Sequence, residues 1–326
     1  MVNAFERLYW DGVSRLRAAG ADAPEFACKC LLEHVFQRPS AALLCSGAPP
    51  DPEPAARYCA LVEKHASGYP LQYIVGEWEF LSLPIRVEEG VLIPRPDTET
   101  VALAAASFLE GRGPGARFLE LGSGSGCISV ALAKRTGCSG AAVDVSETAV
   151  RLTRENAARN GVDSQLCIRR ADLFSFYREL PDGAFDLIVS NPPYLSAAEL
   201  ACADPSIRFE PREALDGGED GLAFYRFIAA AYAPKLREGG GVCFEIGYSQ
   251  ADSVMNILRK NGYIHLGRQK DYGGNDRVIM GIRAPRMGAL GDCRREVRRL
   301  MADGKKQRGG MLLDRVDRFI RENVRE

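Results

Sequence analysis

The chain has 326 residues, and 42 Lys and Arg against 43 Asp and Glu leave a formal net charge of −1. Hydrophobic residues make up 46% and charged residues 26%, enough apolar material for about two domains at roughly 150 residues each. That balance excludes a disordered chain, a collagen-like chain and a uniformly basic nucleic-acid coat.

The first residues, Met1 to Arg7, lack the basic start and apolar stretch of a secretory signal, and none is expected. Helices follow. Phe5, Leu8, Tyr9, Val13 and Leu16 recur near a 3.6 period, as do Phe26, Leu31, Leu32, Val35 and Phe36. A third helix is predicted over 54–67, with Pro24, Pro39 and Pro49 to Pro52 as punctuation. Residues 1–72 thus read as a small helical bundle. The pattern changes at Tyr73. Tyr73 to Phe80 and Leu83 to Val87 read as two strands around a turn, a hairpin linker over 73–94.

Residues 95–284 alternate strands and helices. Strands are predicted at 117–121, 141–145, 166–168, 185–190 and 241–246, with two more at 264–268 and 277–282. Helices are expected at 127–135, 146–160, 221–236 and 250–260. This alternation predicts an α/β fold with a largely parallel sheet covered on both faces. From Arg283 onward 13 basic residues face 7 acidic ones. Residues 285–326 read as a basic extension, in which Leu312, Leu313, Val316, Phe319 and Ile320 would share one face of an amphipathic helix. No run approaches the ~18 apolar residues of a membrane span. The ten cysteines are scattered, no C-x-x-C occurs and only three histidines are present, so free thiols in a reducing cytoplasm are expected and no metal site.

The first predicted strand of the alternating part runs into Glu120-Leu121-Gly122-Ser123-Gly124-Ser125-Gly126. Glycines at alternate positions let the backbone turn sharply and approach a ligand, and the next helix offers free N–H groups there. Asp144 ends the second strand and suits the hydroxyls of a ribose. Asp172 and Leu173 follow the third strand, where they would meet the edge and face of an adenine. A dinucleotide fingerprint requires a glycine at 127, where Cys127 stands. The spacing is instead similar to the G-x-G-x-G loop of methyltransferases that use S-adenosylmethionine.

The fourth strand runs into Asn191-Pro192-Pro193-Tyr194. Prolines fix φ and remove N–H donors, so this segment presents carbonyl oxygens rigidly. The Asn191 side-chain oxygen and the Pro192 carbonyl can accept both hydrogens of one NH₂ group, beside the flat face of Tyr194. An amide nitrogen is a poor nucleophile. Two acceptors on its hydrogens return electron density to it and aim it at a methyl group.

With these residues in place, the chain resembles seven-strand, Rossmann-like methyltransferases that use S-adenosylmethionine, and among them the PrmC/HemK family of release-factor glutamine N5-methyltransferases. The markers are Tyr73 to Glu77, Leu92 to Glu99, Glu120 to Gly126, Asn191 to Tyr194, Phe209 to Pro211 and Asp271 to Arg277. The resemblance implies methyl transfer from S-adenosylmethionine, with S-adenosylhomocysteine as product, to the glutamine of the Gly-Gly-Gln motif in peptide-chain release factors. It implies that residues 1–72 help grip the release factor. It places the cofactor on Glu120, Gly122, Ser123, Gly124, Ser125, Gly126, Asp144, Asp172, Leu173 and Asn191. It places the glutamine amide on Asn191, Pro192 and Pro193, with Tyr194 packed on it. Arg95 is expected at the mouth of the site or in an ion pair with Glu99 or Asp97. Leu173 departs from the pattern, since the family can carry an aromatic there.

Two other readings compete. An N6-adenine methyltransferase acting on DNA or RNA would use the same tetrapeptide on a flipped base, but the net charge of −1 and the lack of a basic, aromatic-rich insert oppose it. A binding module that kept a cofactor fold would have no need of the Asn-Pro-Pro-Tyr segment. The basic extension reads as a solvated or docked appendage, or as a contact to RNA or the ribosome.

Overall fold

In the computed structural model, which describes residues 3–202 and 205–285, the apolar periodicity of the first part becomes five helices. These are α1 (Ala4–Ala18), α2 (Pro24–Phe36), α3 (Ser40–Leu44), α4 (Pro52–Ala66) and α5 (Leu71–Val75). Asn3 and Glu6 close a capping box at the start of α1, satisfying two N–H groups that have no partner within the helix. Phe5, Tyr9, Val13 and Leu16 bury against Leu31, Leu32, Tyr58 and Val62. This is the face predicted from their spacing.

Residues 73–75 correct the strand expected there. Pro70 and Gly76 bracket one helical turn, α5, with Gly76 in the left-handed conformation at φ 78°. The β-branched Ile74 and Val75 favour a strand locally. Burial of Leu71 and Tyr73, and a hydrogen bond from the Tyr73 hydroxyl to the Val91 carbonyl at 2.7 Å, decide otherwise. The hairpin itself is present as β1 (Glu77–Phe80) and β2 (Leu83–Arg86), paired antiparallel. Trp78 on β1 packs against both the helical core and the core of the following domain.

The remaining elements are α6 (Pro96–Glu110), β3 (Arg117–Leu121), α7 (Cys127–Thr136), β4 (Ser139–Asp144), α8 (Glu147–Arg159), β5 (Leu166–Arg170), α9 (Leu173–Phe176), β6 (Phe185–Ser190), α10 (Ala197–Ala201), α11 (Ala223–Ala231), β7 (Leu236–Glu245), α12 (Ala251–Lys260), β8 (Tyr263–Lys270) and β9 (Asp276–Arg283). Seven of the strands form one sheet in the order β5-β4-β3-β6-β7-β9-β8. The first five of that row pair parallel, and β9 runs antiparallel to β7 and β8. The fold is a seven-strand, Rossmann-like α/β sheet. Alternate residues on a strand point to opposite faces. Phe118, Leu187, Val189 and Cys243 accordingly join the core under α6 and α7, while Leu119, Leu121, Ile188 and Phe244 join the core under α11 and α12.

The strand at Leu236 begins earlier than its predicted start, because α11 stops at Ala231 and a 3-10 turn intervenes at Ala233–Lys235. Among the described residues no helix is long and apolar enough to cross a membrane. The amphipathic helix expected over 311–324 lies outside the described residues.

Candidate active site

The glycine loop leaves the carboxyl end of β3, and α7 begins at Cys127. Gly122, Gly124 and Gly126 all take positive φ, at 75°, 55° and 80°, a conformation that L side chains rarely adopt. The amides of Gly122 and Ser123 both donate to the Val143 carbonyl, at 2.9 and 3.1 Å, folding the loop back onto β4. A side chain at Gly126 would stand 2.7 Å from Thr153. Two polar side chains of α8 brace the loop, and Asn160 just past its end holds the hairpin. Thr153 donates to the Gly124 carbonyl at 3.2 Å and meets the Ser123 hydroxyl at 3.1 Å. Asn156 donates to the Ser125 carbonyl at 2.8 Å and also to Arg86 of the hairpin, whose amide it accepts at 2.7 Å. Asn160 reaches the Pro84 carbonyl at 3.1 Å. These braces were not read from the sequence, although Thr153 and Asn156 are polar residues on the buried face of an amphipathic helix.

Asp144 stands at the end of β4. One carboxylate oxygen accepts the Gly124 amide and the other the Ser146 amide, each at 2.9 Å. Each oxygen keeps capacity for a further hydrogen bond. Burial raises its pKa despite those amides. Glu120 is fully buried beneath the loop and accepts the backbone amide of Ser129 at 3.0 Å and the Ser129 hydroxyl. Burial pushes its carboxyl up to about 8, against the pull of those hydrogen bonds.

A cavity of about 270 Å³ opens over this loop. Gly122, Ser123, Gly124, Ser125, Asp144, Asp172, Leu173 and Asn191 all line it, together with Glu120, whereas Gly126, also expected there, does not. Asp172 caps α9 through the Phe174 amide at 2.9 Å. Leu173 lines the wall without an aromatic ring, but its neighbour supplies one. Phe174, 42% exposed, packs 5.3 Å from Phe224 between ring centroids, and both rings line the cavity. Neither was singled out from the sequence. Phe174 directly follows Leu173, and Phe224 arrives from α11, a long way along the chain.

The donor set fits a nucleoside-bearing sulfonium compound. It offers a carboxylate of the kind that accepts sugar hydroxyls, an aromatic and aliphatic wall suited to a planar ring, and open space beside Gly122, where an added side chain would meet nothing within 4 Å. Among the described residues no cluster suited to a metal ion occurs.

A second cavity of about 180 Å³ adjoins the first. Arg95, Tyr194, Ile207 and Glu245 line it, and Asn191, Leu92 and Ala214 line both. Asn191 follows β6, the strand next to β3, so sheet order brings the glycine loop and the Asn-Pro-Pro-Tyr segment side by side. Asn191 Nδ2 donates to Thr98 Oγ1 at 3.3 Å, which leaves its oxygen unused. Pro192 is buried and lines neither cavity, whereas Pro193 lines the first and Tyr194 the second. The Tyr194 carbonyl accepts from Gln250 Nε2 at 2.9 Å, and Gly221 lies so close that a side chain there would come within 2.3 Å of that oxygen. Burial pushes the Tyr194 hydroxyl up to about 12, so it stays protonated.

Arg95 pairs with neither Glu99 nor Asp97. Its partner is Glu210 of the Phe209-Glu210-Pro211 segment, whose other oxygen accepts the Ile93 amide at 3.1 Å. Asp97 pairs instead with Arg277 at 3.1 Å, and Glu99 accepts the Leu81 amide at 2.8 Å. Glu210 was too far along the chain for spacing to suggest it.

Comparison with known proteins follows the same outline. The family profile described as PrmC N-terminal domain matches residues 8–76, and the methyltransferase small domain matches residues 96–208. A release factor glutamine methyltransferase of Agrobacterium fabrum is 43% identical over 230 residues, covering 69% of this chain and 78% of that protein. One from Vibrio cholerae is 38% identical over 280 residues, covering 82% and 92%. A solved release factor-specific protein-(glutamine-N5) methyltransferase from Alicyclobacillus acidocaldarius is 33% identical and matches 59% of this chain and 95% of its own, with a TM-score of 0.38.

Proposed function

The chain belongs to the release factor glutamine methyltransferase family, and on that premise we propose that its two adjoining cavities hold S-adenosylmethionine and the substrate glutamine on either side of Asn191. The enzyme methylates the N5 side-chain nitrogen of the glutamine in the Gly-Gly-Gln motif of peptide-chain release factors, using S-adenosylmethionine. The observation that carries the residue assignment is the position of Asn191 as a shared wall of both cavities, with its amide nitrogen tied to Thr98.

Bound in the larger cavity, S-adenosylmethionine supplies a methyl group on a sulfonium sulfur, an electrophile that needs no further activation. Asp144 would accept the ribose hydroxyls, keeping its amide contacts to the loop. Leu173, Phe174 and Phe224 would cover the base. Asn191 Oδ1 would accept one hydrogen of the glutamine amide and the Pro192 carbonyl the other. Those two acceptors raise electron density on nitrogen and aim its lone pair at the methyl carbon. The methyl group that S-adenosylmethionine would supply there passes to this nitrogen, with S-adenosylhomocysteine as the product. The nitrogen would then lose its proton to solvent water and remain an amide. Tyr194, held protonated, acts by packing and not as a base.

The helical bundle 1–72 would grip the body of the release factor, 73–94 would connect it, and 95–284 would carry out the chemistry. The free thiols fit a reducing cytoplasm. The extension 285–326 is proposed as a weak contact to RNA or the ribosome through its basic residues. The family relationship favours glutamine over an adenine base as acceptor.

A labelled-methyl transfer assay tests this reading. The protein would meet S-adenosylmethionine and, in parallel, a release factor, the same factor with its Gly-Gly-Gln glutamine replaced, and duplex DNA. Label confined to the intact glutamine is expected. Label on DNA, or on the replaced factor, would overturn the reading.

A further inference from the structure

Glu245 ends β7, and the steps above give it no task. β6 and β7 pair parallel with Ser190 opposite Phe244, so Asn191 and Glu245 follow that pair side by side at the carboxyl edge of the sheet. Neighbouring strands lie about 5 Å apart, and both residues line the second cavity. Asn191 also lines the first cavity, whereas Glu245 does not. Glu245 is 1% exposed and its Oε2 has no hydrogen-bond partner. Two guanidinium groups face it, yet both are paired elsewhere, Arg277 with Asp97 and Asp271, and Arg95 with Glu210. In this cluster two cations stand against four carboxylates, and among the described residues Glu245 is the carboxylate of the four that enters no ion pair. A buried carboxylate left unpaired loses its hydration for little return, and a neutral side chain of the same shape would avoid that loss. Such a group calls for a partner that arrives with the substrate.

The reaction described above brings one. An acceptor amide enters the second cavity neutral. Once its nitrogen has gained a methyl group and still holds both hydrogens, it carries a positive charge until a proton leaves to water. Positive charge therefore passes from the first cavity to the second as the methyl group crosses. An anion that lines only the second cavity gains attraction along that path, so it favours the transition state over the bound reactants. In a site screened from water that attraction is far stronger than in solution. The Asn191 oxygen and the Pro192 carbonyl are uncharged acceptors. They orient the amide and leave the charge it gains uncompensated.

We propose that Glu245 is a catalytic residue whose carboxylate stabilises the positive charge that develops on the acceptor nitrogen. This rests on the second cavity being the seat of the glutamine amide, beside Asn191. Burial pushes the Glu245 carboxyl up to about 7 against the pull of the two arginines, so assays run above that value keep it charged.

The test compares Glu245→Gln and Asn191→Ala with the parent chain. Single-turnover methyl transfer from S-adenosylmethionine to an intact release factor is expected to slow on the order of 100-fold in Glu245→Gln. Its Kd for S-adenosylmethionine should be unchanged, and its thermal midpoint unchanged or higher. Binding then separates charge from shape. With S-adenosylhomocysteine present, two altered release factors are titrated, one with lysine and one with methionine in place of the motif glutamine. The parent should bind the lysine factor about tenfold more tightly than the methionine factor, as a charged group meeting a buried carboxylate does, and Glu245→Gln should bind both alike. Parent-like methyl transfer in Glu245→Gln, or a loss of affinity equal for the two factors, overturns the proposal. Should Glu245→Gln fail to fold, the parent decides alone: no preference for the lysine factor overturns it. Full turnover in Asn191→Ala would instead overturn the reading of the second cavity on which it rests.

Discussion

On the proposed assignment, Asn191 and Asp144 divide the work of the site, one toward the acceptor and one toward the cofactor. Asn191→Ala removes the oxygen that would hold the substrate amide and touches no contact of the glycine loop. We expect kcat to fall at least about 100-fold, with the Kd for S-adenosylmethionine, measured by calorimetry, within about threefold of the parent. Asp144→Ala removes a carboxylate that accepts two loop amides. Its Kd for S-adenosylmethionine should rise by roughly 10- to 100-fold, the worth of hydrogen bonds to a charged acceptor. Equal loss of cofactor affinity in both would contradict the division. Glu120 gives a prediction in pH. Its folded pKa of about 8 lies above the ordinary value of 4.5, so between those values the folded chain holds a proton that the unfolded chain has released. Its contribution to stability is therefore full below pH 4.5 and is lost as pH rises toward about 8. Glu120→Gln should raise the thermal midpoint at pH 8 relative to the parent and change it little at pH 5. An equal shift at both pH values would refute that.

At the level of elements, α8 does more than cover the sheet. Asn156 joins the hairpin to the glycine loop through Arg86 and Ser125. Asn156→Ala strands three backbone groups, so a loss of about 2–3 kcal/mol in chemical denaturation is expected, with a weaker Kd for S-adenosylmethionine as the loop loosens. Unchanged cofactor affinity would show that Thr153 alone suffices to hold the loop. This element also marks what the sequence could and could not tell. Glycine spacing, Asp144 and the Asn-Pro-Pro-Tyr segment were legible because each sits at a strand end, where local pattern fixes position. Thr153, Asn156, Phe224 and the pairing of Glu210 with Arg95 were not. Their roles come from contacts across many residues of chain, and nothing in the local pattern separates a buried brace from an ordinary polar residue. The misread strand at 73–75 has the same cause. Pro70 and Gly76 permit a helical turn there, but only packing of Leu71 and Tyr73 selects it.

Across the whole molecule, Trp78 is shared by the helical core and the core beneath α6 and α7, so the bundle is seated on the hairpin by apolar contact. Trp78 is only partly buried, so Trp78→Ala should cost about 2 kcal/mol of stability, below the range of fully buried large-to-small substitutions. The KM for the release factor should rise with kcat largely retained. A variant with intact KM and reduced kcat would place the hairpin's influence inside the chemistry instead. The α/β architecture itself was legible end to end from strand and helix alternation. The antiparallel pairing of β9 between β7 and β8 was not, because strand order depends on which edge the last hairpin joins.

Sheet order has one more consequence, in time rather than in space. β3 and β6 are neighbours near the middle of the sheet, and the Ser190 hydroxyl crosses between them to the Leu121 carbonyl at 2.6 Å. Local opening of such a sheet begins at its edges, here β5 and β8, and reaches the centre last. In hydrogen exchange, the amides of 118–120 and 187–189 should therefore be the slowest in the chain, and those of β8 and of the helical bundle should exchange well before them. If the bundle and the two cavities have the proposed roles, a warmed enzyme would loosen its hold on the partner protein while the two cavities are still in register, and would recover on cooling without having to rebuild the seam between them.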